Sequence, residues 1–160
     1  MSLPVVVSAL AAAGAAYVLN RLSRRLFGGS TVVFVTPGLE ESFKTGTALL
    51  AGAPVLATHI AFGAIEALYD LAPRAAVPAG PGSGTAGPET AGPDAAAPEA
   101  AGPARRVGAA LAGLAGHTLF GTVTLAGAGL TGSWALGVAG AYLLHVGWNA
   151  LVTGKAGTRR

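Results

Sequence analysis

Apolar residues fall into five long stretches along this chain, roughly 3–19, 31–50, 53–71, 107–129 and 132–153, with polar residues gathered between them. A bilayer span needs about 20 mostly apolar residues, with a usual range of about 17–25. The pattern predicts an all-α fold, a polytopic transmembrane helix bundle of about five spans. Gly28, Gly29 and Ser30 separate the first two stretches; Gly52, Ala53 and Pro54 separate the second and third. Gly129 to Gly132 divide the last two. Glycine and proline are the strongest local breaks a sequence offers.

Residues 72–106 break the pattern. Seven of the ten prolines lie there, and the triplet A-G-P recurs at 79, 86, 91 and 101. Almost no large apolar side chain is present, so burial cannot offset the entropy of ordering, and the segment reads as a disordered Pro/Gly/Ala-rich linker. The chain therefore divides into 1–71, with three spans and the carboxylates; 72–106, the linker; and 107–160, with two spans and two of the three histidines.

Composition agrees. The chain is 52% apolar and 11% charged, with a mean hydropathy of +0.58, against roughly 25% charged in soluble domains. The net charge of +3 does not indicate a nucleic-acid partner, because the cations sit at the ends of apolar runs and form no basic face. There is no cysteine, which excludes disulfides and thiolate chemistry.

Nine of the ten cations set a topology. Arg21, Arg24 and Arg25 follow the first stretch, Arg74, Arg105 and Arg106 lie in the linker, and Lys155, Arg159 and Arg160 follow the fifth. With five spans all nine fall on one side, so the positive-inside rule predicts an integral cell-membrane protein with the N-terminus outside and the linker and C-terminus in the cytoplasm. The first stretch has its positive residues after it, the reverse of a secretory signal, and reads as a retained span.

The remaining ionisable residues lie inside the spans: Glu40, Glu41, Lys44, His59, Glu66, His117 and His145. Each costs at least about 2.5–3.5 kcal/mol at a span centre for Lys or Asp, with Glu comparable, so such groups face the bundle interior. Counting residues from the cytoplasmic ends places Glu40, Glu66, His117 and His145 roughly 8–15 Å deep, at 1.5 Å per residue. Four helices thus contribute to one layer. Lys44 is placed to neutralise Glu40 or Glu41 on its own helix. Asn149 shares a face with His145, where an amide can orient a carbonyl or donate to an oxyanion while the imidazole moves protons. Against this, a lone intramembrane Glu–Lys pair or His is as often a structural tether. His59 has no assignable partner and reads as one, and Trp134 and Trp148 read as packing or interface anchors.

The motifs resemble a known family. T-P-G-L-E-E-S-F-K at 36–44 is similar to the P-x-x-E-E-x-x-K motif of PrsW-type membrane proteases. A-F-G-A-I-E-A-L-Y at 61–69 resembles their F-x-x-x-E-N-x-x-Y; H-T-L-F-G from His117 and H-V-G-W-N at 145–149 resemble the third and fourth motifs. These proteases are related to the CPBP group, which includes CAAX-processing and abortive-infection proteins. Ala67 stands where the family has Asn, and five spans are fewer than its members usually carry.

The resemblance implies an intramembrane or juxtamembrane peptidase. Glu40 or Glu41 would activate water, His117 and His145 would stabilise or shuttle protons, Asn149 would bind the oxyanion, and Lys44 and Glu66 would support. Its substrate would be a membrane protein or peptide. The residues leave open a divalent zinc ion held by two His and two Glu, with a water site. The alternative is a non-enzymatic membrane protein: a proton-coupled carrier, or an inactive protease-like protein that binds a partner. No internal repeat relates the carboxylate spans to the histidine spans, which favours the enzyme. V-G-A-A-L-A-G-L-A-G at 107–116 allows close helix contact within the chain or in a homo-oligomer.

Overall fold

The computed structural model describes residues 1–28, 31–72 and 102–157, and these form five α-helices with no strand among them. They are α1 (Leu3–Phe27), α2 (Thr31–Leu50), α3 (Val55–Leu71), α4 (Pro103–Thr131) and α5 (Trp134–Gly157). The expected linker and Arg74, Arg159 and Arg160 lie largely or wholly outside the described residues; α4 starts at Pro103, inside the 72–106 segment.

Helix ends follow local chemistry. Pro4 stands in the first turn of α1, where its missing N–H costs nothing. Arg24 and Arg25 occupy the last turn, where cations oppose the helix dipole. The expected first span, 3–19, is therefore a longer helix: Arg and Leu are good helix formers, and hydropathy registers only the apolar part. Gly52, at φ 63°, ends α2. The Ala53 N–H bonds to the Ala48 carbonyl at 2.8 Å and the Gly52 N–H to the Leu49 carbonyl at 3.2 Å. This Schellman arrangement requires a left-handed residue, and it reverses the chain within a few residues before α3.

Paired contacts run in opposite senses along neighbouring helices. Ser8 and Asn20 of α1 meet Thr47 and Glu40 of α2. Gly63 of α3 faces His117 of α4, and Gly121 of α4 faces His59 of α3. Gly127 meets Gly137 across α4 and α5, while Phe120 stacks on His145 further along. The chain thus runs up and down, and the Arg24–Arg25 end of α1 lies at the same end of the bundle as Arg105 and Arg106.

Two approaches depend on missing side chains. A Cβ on Gly121 would lie 2.6 Å from His59 Cβ, and one on Gly127 would lie 2.8 Å from Gly137 Cα. Small residues let helix backbones close in this way.

The interior mixes small apolar residues with charged ones, while many large apolar side chains face outward. Lys44, His59 and Glu41 are among the largest fully buried side chains. Leu10, Tyr17, Val18, Phe34, Leu119 and Leu143 are exposed. Among the described residues, α1 and α4 are long and apolar enough to cross a membrane, and most of each apolar window faces outward. α3 has only 17 residues, and α2 carries Glu40, Glu41 and Lys44.

Candidate functional site

Each of α2, α3, α4 and α5 delivers polar side chains to one place. Glu40, Glu66, His117, His145, Thr36 and Asn149 line a pocket of about 240 Å³, with Phe120, Trp148 and the small Gly113 and Gly116 completing its wall. Glu66 sits at its open edge, its side chain 41% exposed, whereas His117 is 5% exposed. The expected layer of four ionisable groups on four helices is thus one cavity.

Adjacent residues on α2 are treated differently. Successive helical side chains point about 100° apart, and that angle puts Glu40 on the pocket wall and Glu41 behind it. Glu40 Oε1 accepts from Asn20 Nδ2 at 3.3 Å, and its Oε2 lies 4.0 Å from His145 Nε2. Glu41 is fully buried and does not line the pocket. Its Oε1 takes Lys44 Nζ at 2.6 Å and His145 Nδ1 at 3.0 Å. The cation expected for one of the two carboxylates therefore belongs to Glu41. A charge-assisted pair of this kind is strong because both partners are shielded from water.

Lys44 reaches further. Its Nζ is 2.9 Å from His117 Nδ1 and 4.8 Å from the centroid of the Phe62 ring. On the far side of that imidazole, Nε2 meets Glu66 Oε2 at 2.5 Å. The polar groups form a connected run from the open edge inward: Glu66, His117, Lys44, Glu41 and His145. The rings are held by aromatic packing. Phe120 stacks on His145 with centroids 4.3 Å apart, and Phe62 meets His117 edge-on at 5.1 Å.

His59 belongs to this cluster rather than standing alone. Its Nδ1 is 3.6 Å from Glu41 Oε2 and its Nε2 is 3.3 Å from Thr45 Oγ1. Sequence spacing could not reveal this, since the approach depends on Gly121 across the α3–α4 interface. Asn20 is the other addition. It lies just beyond the expected first stretch, 3–19, and α1 continues past it and packs it onto Glu40. Trp148, expected as an anchor, lines the pocket; Trp134 lies apart from it.

The donor set can be weighed against a metal ion. Glu40, Glu66 and His117 each offer a ligand atom, all within 4.8 Å of one another, which suits three protein ligands with an open position. The group behind His117 suits it less. A metal-bound imidazole normally gives its other ring N–H to an acceptor, and here that nitrogen faces an ammonium group.

Comparison of the chain with protein-family models, with curated proteins and with solved structures gives no match.

Proposed function

We propose that the chain is a five-span integral membrane protein whose pocket hydrolyses a peptide bond within or beside a membrane segment. The membrane reading is supported by the outward-facing apolar surface, by the buried charges, and by the placement of the arginines of α1 and α4 at one end. That end is cytoplasmic under the positive-inside rule. The absence of native cysteine makes this measurable. In intact cells Ala51→Cys is expected to react with an impermeant thiol reagent and Ala72→Cys to be protected; the opposite pattern overturns the topology.

One observation carries the peptidase reading: two carboxylates, two imidazoles and an amide from four helices line a single pocket. Glu40 is the carboxylate placed to act as base, since Glu41 is sealed beneath it. Glu40 takes a proton from water, and the hydroxide adds to the scissile carbonyl carbon. Asn149, and the His117 N–H when the substrate displaces Glu66 from it, donate to the oxyanion. The C–N bond then breaks as the amine takes the proton back from Glu40, leaving a carboxylic acid and a free amine. This agrees with the PrsW-like motifs, which supply the expectation of proteolysis.

The test is hydrolysis in vesicles of a mixture of labelled single-span peptides in ¹⁸O-enriched water. One ¹⁸O atom is expected in each new C-terminus, and Glu40→Gln is expected to abolish its appearance. The connected run from Glu66 to Glu41 favours one second reading, a proton-coupled carrier. Proton flux across the vesicles without any cleavage would select that reading and exclude the peptidase.

A further inference from the structure

The two histidines of the pocket look alike in sequence, but they face opposite ends of one buried ion pair. A lysine ammonium carries three donors and no acceptor; an ionised carboxylate only accepts. Lys44 Nζ and Glu41 Oε1, 2.6 Å apart and both buried, are that pair. Lys44 has His117 Nδ1 at 2.9 Å, so this nitrogen must accept. A neutral imidazole has one N–H, and in His117 it then resides on Nε2, where Glu66 Oε2 is ready to receive it. His145 is the reverse. Its Nδ1 lies 3.0 Å from Glu41 Oε1 and must donate. Its Nε2 is left with a lone pair, 4.0 Å from Glu40 Oε2 on the pocket side.

We infer that the Glu41–Lys44 pair sets opposite tautomers in the two pocket histidines, so that His117 presents an N–H donor and His145 a proton acceptor. Neither Glu41 nor Lys44 lines the pocket, and both are positioning residues acting through the rings, as a third group orients the base in other catalytic sites. The arrangement gives the pocket a direction. One wall, His117 with Asn149, is suited to a carbonyl oxygen that displaces Glu66 from the His117 N–H. The other, Glu40 with His145 Nε2, offers two acceptors 4.0 Å apart to a single water molecule. The catalytic meaning rests on the peptidase reading, but the tautomers themselves do not.

Hydrogen positions are assigned from hydrogen-bond partners, and nitrogen NMR reads them directly. The chain holds three histidines, so ¹⁵N-histidine-labelled protein in lipid bilayers, with His59→Gln, His117→Gln and His145→Gln variants for assignment, gives one spectrum per ring. The expected result is an Nε2–H tautomer for His117 and an Nδ1–H tautomer for His145, without substrate. The double variant Glu41→Gln/Lys44→Met removes both charges together and is expected to give two tautomer signals for each ring in place of one. Added zinc is expected to leave the His117 Nε2–H signal in place. An Nδ1–H or doubly protonated His117, an Nε2–H His145, unchanged tautomers in a folded double variant, or loss of the His117 Nε2–H on adding zinc would each overturn the inference. If the double variant does not fold, the wild-type spectrum alone decides. The expected tautomers in a protein that cleaves nothing would reject the peptidase reading and leave this one standing.

Discussion

Glu40 and Glu41 are neighbours in the chain and belong to different regions of the molecule. Glu40 stands on the wall of an open pocket, held by an amide and lying near an imidazole, with no Lys or Arg paired to it among the described residues. Glu41 lies in a sealed layer beneath, matched by Lys44 on its own helix. The same chemical group thus lines a cavity in one region and is sealed from it in the other. What separates them is whether a partner of opposite charge goes down into the bundle with the carboxylate. A carboxylate paired with a buried cation is held in place; one on a cavity wall is reached by whatever enters.

That contrast can be broken most severely from the sealed side. Lys44→Met leaves Glu41 buried without its cation, and removing one member of a buried pair costs about 3–5 kcal/mol. Thermal unfolding in detergent is expected to fall sharply for Lys44→Met and for Glu41→Ala, and far less for Glu41→Gln/Lys44→Met. Equal losses in all three would show that the pair is not acting as a unit.

From the pocket side the effect moves from stability to rate. Glu40→Gln keeps size and hydrogen bonding, so unfolding should hardly change, while hydrolysis of the labelled peptides drops by about 10²–10⁴-fold, the usual contribution of a general base. A Glu40→Gln protein as active as wild type would move the base elsewhere.

Gly121→Ala sharpens the comparison by pressing on the sealed layer alone. Its new methyl group would meet the Cβ of His59 at 2.6 Å, and overpacking of this sort costs about 1–3 kcal/mol. The loss is expected in melting temperature; Gly113→Ala, where no atom lies within 4 Å, serves as the neutral control. The smallest effect should come from Asn20→Ala, which removes one bond to Glu40 worth about 1 kcal/mol and is read as a small fall in melting temperature.

The helical architecture and much of this site were legible beforehand, for reasons visible in particular residues. The α2 stretch, 31–50, matches its helix because apolar residues, Gly52 and Pro54 all mark the same boundary. The shared layer of Glu40, Glu66, His117 and His145 followed from counting residues at a fixed rise per turn. The division between Glu40 and Glu41 was not legible, because it depends on how α2 is rotated about its axis, and that is set by α1, α3 and α5 together. His59 and Asn20 escaped for a related reason. Their partners lie on other helices, and the space for His59 is made by Gly121, whose sequence signal is an absence. Helices α1, α4 and α5 also run beyond the apolar stretches, since a charged residue ends burial without ending a hydrogen-bonded backbone.

Gly127 and Gly137 bring two backbones together at one end of the bundle, and the pocket residues His117 and His145 lie further along the same two helices. The crossing works as a fulcrum. His117 is ten residues from Gly127, a lever of about 15 Å at 1.5 Å per residue, so a tilt of about 4° at the contact shifts the pocket wall by about 1 Å. A Cβ on Gly137 would run into the Thr124 carbonyl oxygen and force such a tilt. Gly137→Ala is therefore expected to shift the pocket wall from the distant end of the bundle, although Gly137 touches nothing in the pocket itself.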